Sequence, residues 1–290
     1  MNGIPELDDQ ELEAVVRRAL AEDLGEQGDI TSKRIVRVDQ PARAEIVAKA
    51  KGILAGAPVA ALAFTLVDRN VAVEWNVTDG GQLGAGTVIG QVYGRARAIL
   101  AAERVALNFL QHLSGVATLT SAFVAKCDRY GVRVLCTRKT LPGLRGLQRY
   151  AVTVGGGSLH RAGLFDAILI KTNHEKLAGG VSEAVRRTKA NPNLEAEVEV
   201  RNLKELEEAF KAGADRILLD NADLATIAKA VKRTRDRVYL EISGGVTLSN
   251  IASIARLKPD AISVGMLTHS VPAVDMALRV LGPAGAAPKR

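Results

Sequence analysis

The sequence predicts an α/β fold made of a small N-terminal domain and a C-terminal domain in which strands and helices alternate. Short β-prone segments separated by glycine-rich turns fill residues 42–94, and beyond residue 115 six apolar strand candidates alternate with helical stretches. Repeating strand–helix units produce parallel strands with right-handed crossovers, so the second domain is expected to be a barrel or a doubly wound sheet. We therefore predict two domains, at 1–115 and 116–290.

Length and composition agree with two globular domains. A chain of 290 residues is about twice the usual length of a single domain. With 47% hydrophobic and 24% charged residues, the composition excludes a disordered chain and a coiled coil. The chain holds 27 glycines but only 3% aromatic residues, which leaves few rings to stack on nucleic-acid bases. The net charge of +7 therefore favours a small anionic ligand over a nucleic-acid partner.

No segment predicts export or a membrane span. Residues 1–13 are acidic, and the longest apolar stretch, 55–67, is interrupted by Gly56 and Pro58. Cys127 and Cys136 lack the spacing and the number needed for a disulfide framework or a zinc site, so both are expected to be buried. We expect a cytoplasmic protein with no membrane partner.

The N-terminal domain is predicted to begin with a helix that starts at Asp8 and stops at Gly25. Asp8 and Glu11 form a capping-box-like start. The other predicted elements of this domain are strands at 44–48, 71–75 and 87–92 and a helix at 58–66. A lipoyl- or biotinyl-carrier module has similar glycine-rich strands, but no lysine occurs within 78–92 to carry the cofactor. The carrier interpretation is therefore a weak one.

A long helical region follows, predicted as two helices at 98–113 and 116–130 with a break at Ser114 and Gly115. Beyond it come the six strand–helix units. The strands are predicted at 132–136, 167–170, 194–198, 216–219, 238–242 and 261–264. The helices are predicted at 144–154, 181–189, 203–212, 224–234, 248–257 and 273–280.

Charged residues or glycines occur directly at the carboxyl end of each predicted strand. They are Arg138 and Lys139, Lys171, Glu199, Asp220, Ser243 with Gly244 and Gly245, and Gly265. In a β/α barrel these ends converge on one face, where active sites lie. Polar residues also follow strands simply because loops are polar, but solvation alone does not explain an order of cations first, acids next and glycines last.

The chemistry of these residues indicates a polyanionic, phosphorylated substrate. Arg138, Lys139 and Lys171, with His160 and Arg161 on a neighbouring loop, supply cations that suit carboxylates and phosphates. Glycines after the last two strands let backbone N–H groups approach a phosphate. The two acids of the set, Glu199 and Asp220, are suited to hold Mg²⁺ or to stabilise a developing cation.

Short motifs in nearly the whole chain closely resemble those of the nicotinate-nucleotide pyrophosphorylases (carboxylating), also called quinolinate phosphoribosyltransferases. The C-terminal motifs are 136–140 (CTRKT), 142–145 (PGLR), 155–161 (GGGSLHR), 169–174 (LIKTNH), 197–200 (EVEV), 219–221 (LDN) and 263–265 (SVG). The N-terminal motifs are 22–25 (EDLG), 28–31 (GDIT) and 103–108 (ERVALN). Each motif is short, but their order and spacing make a chance match improbable.

The resemblance implies an N-terminal α/β sandwich domain joined to an incomplete, six-stranded β/α barrel, assembled as a homodimer or a larger oligomer. It also implies that phosphoribosyl pyrophosphate and quinolinate react, with Mg²⁺, to give nicotinate mononucleotide, pyrophosphate and CO₂ in NAD biosynthesis.

The same resemblance assigns expected roles to site residues. Those expected to face quinolinate are Arg138, His160, Arg161 and Lys171, together with Arg104 from the partner subunit. Those expected to serve the phosphoribosyl group and its metal are Lys139, Glu199, Asp220, Ser243, Gly244 and Gly265. Among the latter, Lys139, Glu199 and Asp220 are the expected catalytic residues, and Glu199 and Asp220 the expected metal ligands.

Three departures from the family pattern and three alternatives accompany this assignment. The departures are Leu141, Val246, and Thr172, which replaces the aspartate usual before Asn-His. Lys171 after an apolar strand is also typical of a Schiff-base lysine in an aldolase-like barrel. A molybdenum-associated paralogue shares the fold, although the retained Lys171 favours the quinolinate enzyme. The non-enzymatic alternative is a nucleic-acid binder that uses the positive charge.

Overall fold

The computed structural model describes residues 8–189 and 195–282. Its elements in chain order are α1 (Asp9–Leu24), α2 (Ile30–Ile35), β1 (Pro41–Ala48), β2 (Gly52–Ile53), α3 (Ala57–Val67), β3 (Ala72–Trp75), β4 (Gln82–Leu83), β5 (Val88–Arg95), α4 (Ala96–Cys127), β6 (Arg133–Leu135), α5 (Arg145–Val154), β7 (Ile168–Ile170), α6 (Thr172–Ala178), α7 (Val181–Thr188), β8 (Ala196–Val200), α8 (Leu203–Lys211), β9 (Arg216–Asp220), α9 (Leu224–Thr234), β10 (Tyr239–Ser243), α10 (Ile251–Ala255), β11 (Ala261–Ser263), α11 (Met266–His269) and β12 (Met276–Gly282). Residue 194 of one predicted strand and residues 1–7 of the acidic start lie outside the described residues.

The chain divides into two compact units. Among the described residues, unit 1 contains 8–119, 141–156 and 270–282, and unit 2 contains 120–140, 157–189 and 195–269. Unit 1 is built on an antiparallel sheet in the order β12–β1–β5–β3, with α1 packed on α3 and α3 on β3. The predicted start of α1 is present, because the Asp8 carboxylate accepts the Glu11 N–H at 2.8 Å.

The predicted break at Ser114 and Gly115 is wrong, because α4 continues through both residues. Ser114 is fully buried, and its hydroxyl both accepts from Ala55 N at 3.0 Å and donates to Ala55 O at 3.3 Å. A Cβ at position 115 would lie 3.0 Å from Val271 Cγ1 and 3.2 Å from the Pro272 carbonyl carbon. Gly115 therefore permits close packing against another segment and does not end the helix.

The predicted helix at 273–280 is also wrong, since residues 276–280 belong to β12 and residues 273–275 form no helix. This strand pairs antiparallel with β1 in unit 1, and Arg279 forms an ion pair with Glu45 at 2.7 Å. Only Met276 of β12 is buried, so the strand lacks the alternation of apolar and polar residues that identifies a strand from sequence. Its conformation follows from the edge of β1, which offers unpaired backbone groups.

Unit 2 contains all six predicted parallel strands. Their order is β6–β11–β10–β9–β8–β7, and each neighbouring pair runs parallel. Helices α7 and α8 pack on β8, and α9 packs on β10. Strands β6 and β7 form the two edges, so this sheet is the incomplete six-stranded barrel that was expected, and the α/β fold class is confirmed.

Apolar side chains on alternate strand positions fill the core of unit 2. Val198, Ile217, Leu219 and Ile242 are at most 1% exposed. Cys127 and Cys136 are both buried, as predicted. Among the described helices, none has the combination of length and apolarity that crossing a bilayer requires.

Candidate active site

The carboxyl ends of the barrel strands surround a cavity of about 480 Å³ in unit 2. Its lining is Thr137, Arg138, Lys139, His160, Arg161, Leu169, Lys171, Glu199, Leu218, Asp220, Asn221, Glu241, Ser243, Gly244, Gly245 and Ser263. The structure thus brings together nine of the sequence-predicted site residues, which come from five strand ends and one loop. Gly265 and Arg104 are not part of this lining.

The cations occupy the part of the cavity where the sheet has its two edges. Arg138 and Lys139 follow β6, Lys171 follows β7, and His160 and Arg161 lie in the segment that precedes β7. This segment is joined to β6 by a bridge between Ser158 and Leu135. The acidic and glycine residues instead follow the middle strands, so the cavity has a cationic half and an acid-and-glycine half.

Arg138 and Arg161 form the strongest anion-binding feature of the cavity. The Nε atoms of both guanidiniums are buried and have no hydrogen-bond partner among the described residues. Burial, and then the proximity of Arg138, lower the pKa of Arg161. Two half-buried cations that repel each other and keep unused Nε–H donors are suited to bind an anion with more than one carboxylate oxygen.

Lys171 and Glu199 contact each other across neighbouring strand ends. The Lys171 ammonium donates to Glu199 Oε2, and the Thr172 hydroxyl donates to Glu199 Oε1 at 3.2 Å. Sequence reasoning assigned this lysine and this glutamate to different substrates, whereas the structure pairs them. His174 accepts the Lys171 N–H at 3.0 Å and so belongs to the start of α6.

Asp220, Asn221 and Gly244 pack closely together at the neighbouring carboxyl ends of the parallel strands β9 and β10. Asn221 donates from its side-chain amide to Asp220 Oδ2 at 2.8 Å and from its backbone to Ser243 O at 2.9 Å. Asn221 has a φ of 52° and Gly244 a φ of 87°. A Cβ at position 244 would lie only 2.7 Å from Asn221 N, so glycine is required there by both conformation and space.

Gly265 lies outside the cavity lining and packs against Lys139 and His269, and its expected role at the phosphoribosyl group stays a prediction. A Cβ at this position would lie 3.1 Å from Lys139 Cδ and 3.1 Å from His269 Nε2. The Lys139 backbone is held from the same loop, because the Thr268 hydroxyl donates to Lys139 O at 2.7 Å. Gly265 therefore leaves room for the stem of Lys139, whose ammonium is the group expected to reach a phosphate.

A buried acidic pair, which sequence reasoning missed, lies at the wall of the cavity, where Glu241 is part of the lining. Glu197 and Glu241 are 7% and 0% exposed at the side chain, and His160 Nε2 lies 3.1 Å from Glu197 Oε2 and 3.7 Å from Glu241 Oε1. Burial, and then Glu197, raise the pKa of Glu241 to about 7. A signal was present in the sequence, since both glutamates stand two positions before a site residue, Glu199 or Ser243, and so share its face of the strand.

Arg104 lies on α4 in unit 1 and is exposed, as is Asn108 one turn later. The same helix has a buried apolar stripe, whose residues are Ile99, Ala102, Ala106, Leu110 and Leu113. The helix is therefore amphipathic in this region. The proposed contact of Arg104 with a neighbouring subunit stays a prediction.

Comparison with known proteins gives one consistent result. The family models described as the N-terminal and C-terminal domains of quinolinate phosphoribosyl transferase match residues 29–114 and 116–279. The chain is 41% identical to the probable nicotinate-nucleotide pyrophosphorylase (carboxylating) of Bacillus subtilis, with 93% of each chain covered. It is 38% identical to quinolinate phosphoribosyltransferase (decarboxylating) 1b of Nicotiana tabacum, covering 93% of this chain and 82% of that one.

The same relationship is seen in three dimensions. The solved nicotinate-nucleotide pyrophosphorylase of Francisella tularensis superposes with a TM-score of 0.92 at 40% identity, covering 97% of this chain and 99% of that one. The resemblance inferred from the sequence motifs is thereby confirmed. With its fold, its cavity and its motifs in agreement, this chain belongs to the quinolinate phosphoribosyltransferase family.

Proposed function

We propose that this protein transfers the phosphoribosyl group of phosphoribosyl pyrophosphate to quinolinate, with loss of CO₂, to form nicotinate mononucleotide for NAD biosynthesis. The observation that carries the proposal is the pair of buried, unpartnered guanidinium Nε atoms of Arg138 and Arg161 in the cationic half of the cavity. Quinolinate bears two adjacent carboxylates and therefore fits two adjacent cations. The acid-and-glycine half is left for the sugar and its phosphates.

The residues of the two halves suit the charges that change during the reaction. The pyridine nitrogen attacks the anomeric carbon as the bond to the pyrophosphate oxygen breaks, so positive charge develops on the sugar and negative charge on the leaving group. Asp220 is placed to stabilise the first and Lys139 the second. Once the ring nitrogen is quaternary, the carboxylate next to it leaves as CO₂, and the ring carbon takes a proton from solvent.

Lys171 has a second role in this proposal, because its ammonium donates a hydrogen bond to Glu199. A substrate carboxylate that binds the Lys171 ammonium would compete with Glu199 for it. Glu199 then becomes available to the ribose side of the cavity. Binding of quinolinate would in this way prepare the subsite of the second substrate.

We propose Mg²⁺ as the cofactor, held by Asp220 and Glu199. Carboxylate oxygens are the ligands that Mg²⁺ prefers. Asp220 fits this role, since the Asn221 amide occupies Oδ2 and no hydrogen bond to Oδ1 is present among the described residues. Glu199 fits it once Lys171 has moved to a substrate. When bound, the ion would neutralise charge on the departing pyrophosphate.

The aldolase-like alternative is weakened by the surroundings of Lys171. A Schiff-base lysine must be neutral, which requires an apolar or cationic environment. The Lys171 ammonium instead donates to a carboxylate, and its side chain is 48% exposed. A carboxylate partner and a half-exposed side chain are not the apolar or cationic surroundings that this chemistry needs.

The activity is tested by incubating the purified protein with quinolinate, phosphoribosyl pyrophosphate and Mg²⁺. Nicotinate mononucleotide is followed by liquid chromatography, and CO₂ is followed by release of label from the carboxylate next to the ring nitrogen. One mole of CO₂ per mole of nucleotide is expected, with no product when Mg²⁺ is removed by a chelator. Absence of nucleotide from a folded, metal-supplied protein would disprove the proposed function.

We further propose that the protein acts as a symmetric homodimer or larger oligomer in which Arg104 completes the site of the neighbouring subunit. Arg104 is an exposed cation on a polar stripe of α4, and it is absent from the residues that line the cavity. In a two-fold symmetric dimer each subunit presents the same surface to the other, so the Arg104 of each chain would serve the site of its partner.

Mixing two inactive variants tests this arrangement. Arg104→Ala and Lys171→Ala chains are each expected to be inactive alone. In randomly mixed dimers half of the dimers are hybrids, and one of the two sites in each hybrid has both wild-type residues, so about a quarter of the activity returns. No recovery after verified subunit exchange would show that Arg104 does not act across an interface.

A cytoplasmic location is also proposed. Both proposed substrates carry several charges and do not cross membranes unaided. Cell fractionation with an antibody against the protein tests it.

A further inference from the structure

Both ring nitrogens of His160 are occupied by the protein itself. Nδ1 accepts the Arg161 N–H at 2.7 Å, and Nε2 lies 3.1 Å from Glu197 Oε2. A nitrogen that accepts a hydrogen bond carries no proton, so the proton of the neutral ring lies on Nε2, facing the carboxylates. Neither nitrogen is left to contact a substrate directly, although His160 borders the cavity.

Glu197 and Glu241 have few groups other than His160 to satisfy them. Among the described residues, Glu197 Oε1 and both carboxylate oxygens of Glu241 make no hydrogen bond of good geometry, although the Ser263 hydroxyl lies near Glu241 and stabilises its charged form. The nearest other cation is Arg216, whose Nε lies 4.0 Å from Glu197 Oε1. Two neighbouring carboxylates in the interior of a barrel cost stability, so packing alone does not account for them.

The His160 ring connects this acidic pair to the anion-binding guanidiniums. Rotation of the ring would break the hydrogen bond that Nδ1 accepts from the Arg161 backbone. The Arg161 side chain donates one hydrogen bond, from Nη1 to Ala167 O at 3.1 Å, and the carboxylates of Asp166 and Glu197 attract its charge. The direction of the Arg161 guanidinium therefore depends on the backbone that the ring fixes.

We propose that Glu197 and Glu241 are positioning residues, which hold the His160 ring with Nε2–H inward so that Nδ1 fixes Arg161 beside Arg138. This inference rests on the proposed function, because it assigns these residues to the quinolinate half of the cavity. It also changes the expected role of His160 from a direct substrate contact to a support for Arg161.

A metal ion is the other chemistry that this cluster suggests, because ligand atoms of His160, Glu197 and Glu241 all lie within 4.8 Å of one another. The hydrogen bond at Nδ1 argues against it. A neutral imidazole that binds a metal through Nε2 must carry its proton on Nδ1, where it would meet the Arg161 N–H. The tautomer that the backbone selects is therefore the one that cannot ligate through Nε2.

The proposal is tested with Glu197→Gln and Glu241→Gln, and with Tyr239→Phe as a matched control. Tyr239 lies two positions before Glu241 on the same strand, so it shares the same face, and its buried hydroxyl also has no partner among the described residues. The Glu variants should raise KM for quinolinate about 10- to 100-fold, because a guanidinium displaced by about 1 Å loses its alignment. KM for phosphoribosyl pyrophosphate should stay unchanged, and Tyr239→Phe should change neither value.

The ring nitrogens of His160 give a second readout that does not depend on turnover. Long-range ¹H–¹⁵N spectra distinguish protonated from unprotonated nitrogens, and the chain has four histidines, so loss of one signal set in His160→Gln assigns it. Wild-type protein should show a protonated Nε2 and an unprotonated Nδ1, and the Glu variants should show a mixture of tautomers. Calorimetric titration with quinolinate should show the same loss of affinity as KM.

Several results would overturn the proposal. They are an Nδ1-protonated His160 in wild-type protein, a transition metal that copurifies in one-to-one ratio, and Glu variants with a wild-type KM for quinolinate. If a Glu variant fails to fold, two measurements still test the proposal. The wild-type spectrum reports the His160 tautomer directly, and Glu197→Asp, which keeps a carboxylate but shortens its side chain, should also raise KM for quinolinate. Failure of the proposed function is distinct, because wild-type protein would then neither bind quinolinate nor form nucleotide.

Discussion

Replacing Gly244 by alanine should damage the phosphoribosyl half of the site through the backbone alone. The added Cβ would lie 2.5 Å from Asn221 Cγ and 2.7 Å from Asn221 N. No side-chain rotation relieves the second contact, because it involves the main chain. Asn221 must therefore move, and it holds both Asp220 Oδ2 and the Ser243 carbonyl by hydrogen bonds.

The size of the effect follows from two costs. A left-handed conformation costs an alanine about 1–2 kcal/mol, and forcing atoms into a filled space costs about 1–3 kcal/mol. We expect Gly244→Ala to lower the free energy of unfolding of unit 2 by about 2–5 kcal/mol. A shift of Asp220 by about 1 Å should also reduce kcat/KM for phosphoribosyl pyrophosphate about 100-fold.

Gly245→Ala is the matched control for this change. Gly245 also has a positive φ, of 60°, but a Cβ there would meet nothing closer than Asn221 Oδ1 at 3.9 Å. Only the conformational cost of about 1–2 kcal/mol should remain. Urea unfolding and steady-state kinetics with both substrates measure the difference. Equal losses of stability and of kcat/KM in the two variants would refute the steric reasoning.

Three further predictions follow from the cationic half and the buried acidic pair. Lys171→Ala and Arg138→Ala should each abolish activity without lowering Tm. The Lys171 side chain is half exposed, and loss of Arg138 removes its repulsion of Arg161. Normal turnover in either variant, or a loss of folding, would contradict this prediction. Nicotinate should be turned over about 150- to 5000-fold less efficiently than quinolinate, because an unpaired, partly desolvated cation costs about 3–5 kcal/mol, and comparable kcat/KM values would rule out the assignment. The pKa of Glu241 is raised from 4.5 to about 7, so the folded state binds this proton more tightly than the unfolded state. The contribution of this proton to the free energy of unfolding is therefore complete below pH 4.5 and is lost as pH rises through 7. In Glu241→Gln, the decrease in unfolding free energy from pH 5 to pH 8 should therefore shrink by about 2 kcal/mol, whereas an unchanged pH dependence would show that Glu241 titrates normally.

The fold class and most of the cavity could be predicted because they follow from local patterns. Six apolar segments with helices between them require parallel strands, and parallel strands bring their carboxyl ends to one face. Arg138 and Ser243 are far apart in sequence, yet their positions after predicted strands are enough to assign both to one site. Strand order in the sheet follows chain order from β7 to β11. Residues that are grouped along the chain as cations, acids and glycines are therefore also grouped in space, which gives the cavity its two halves.

Other features depend on contacts between distant segments, so no local pattern could reveal them. Gly115 has the signature of a helix break, yet it lies within a continuous helix because another segment packs closely against it. β12 has no alternating pattern, and its strand conformation comes from pairing with β1, more than two hundred positions earlier. The local sequence therefore does not tell whether Gly115 ends a helix, and it does not predict β12, because both depend on a segment that is distant in the chain.

Within the site, the sequence determined which charges are present, and the tertiary structure decided which of them contact each other. The positions of Lys171 and Glu199 are fixed by their strands, but their ion pair depends on β7 and β8 being neighbours in the sheet. Glu197 and Glu241 were visible as acids two positions before site residues, yet only the closed packing of the barrel interior places both of them against His160. Side-chain type and strand position are properties of the chain, whereas burial, pairing and a displaced pKa arise only when separate strands exclude water from between them.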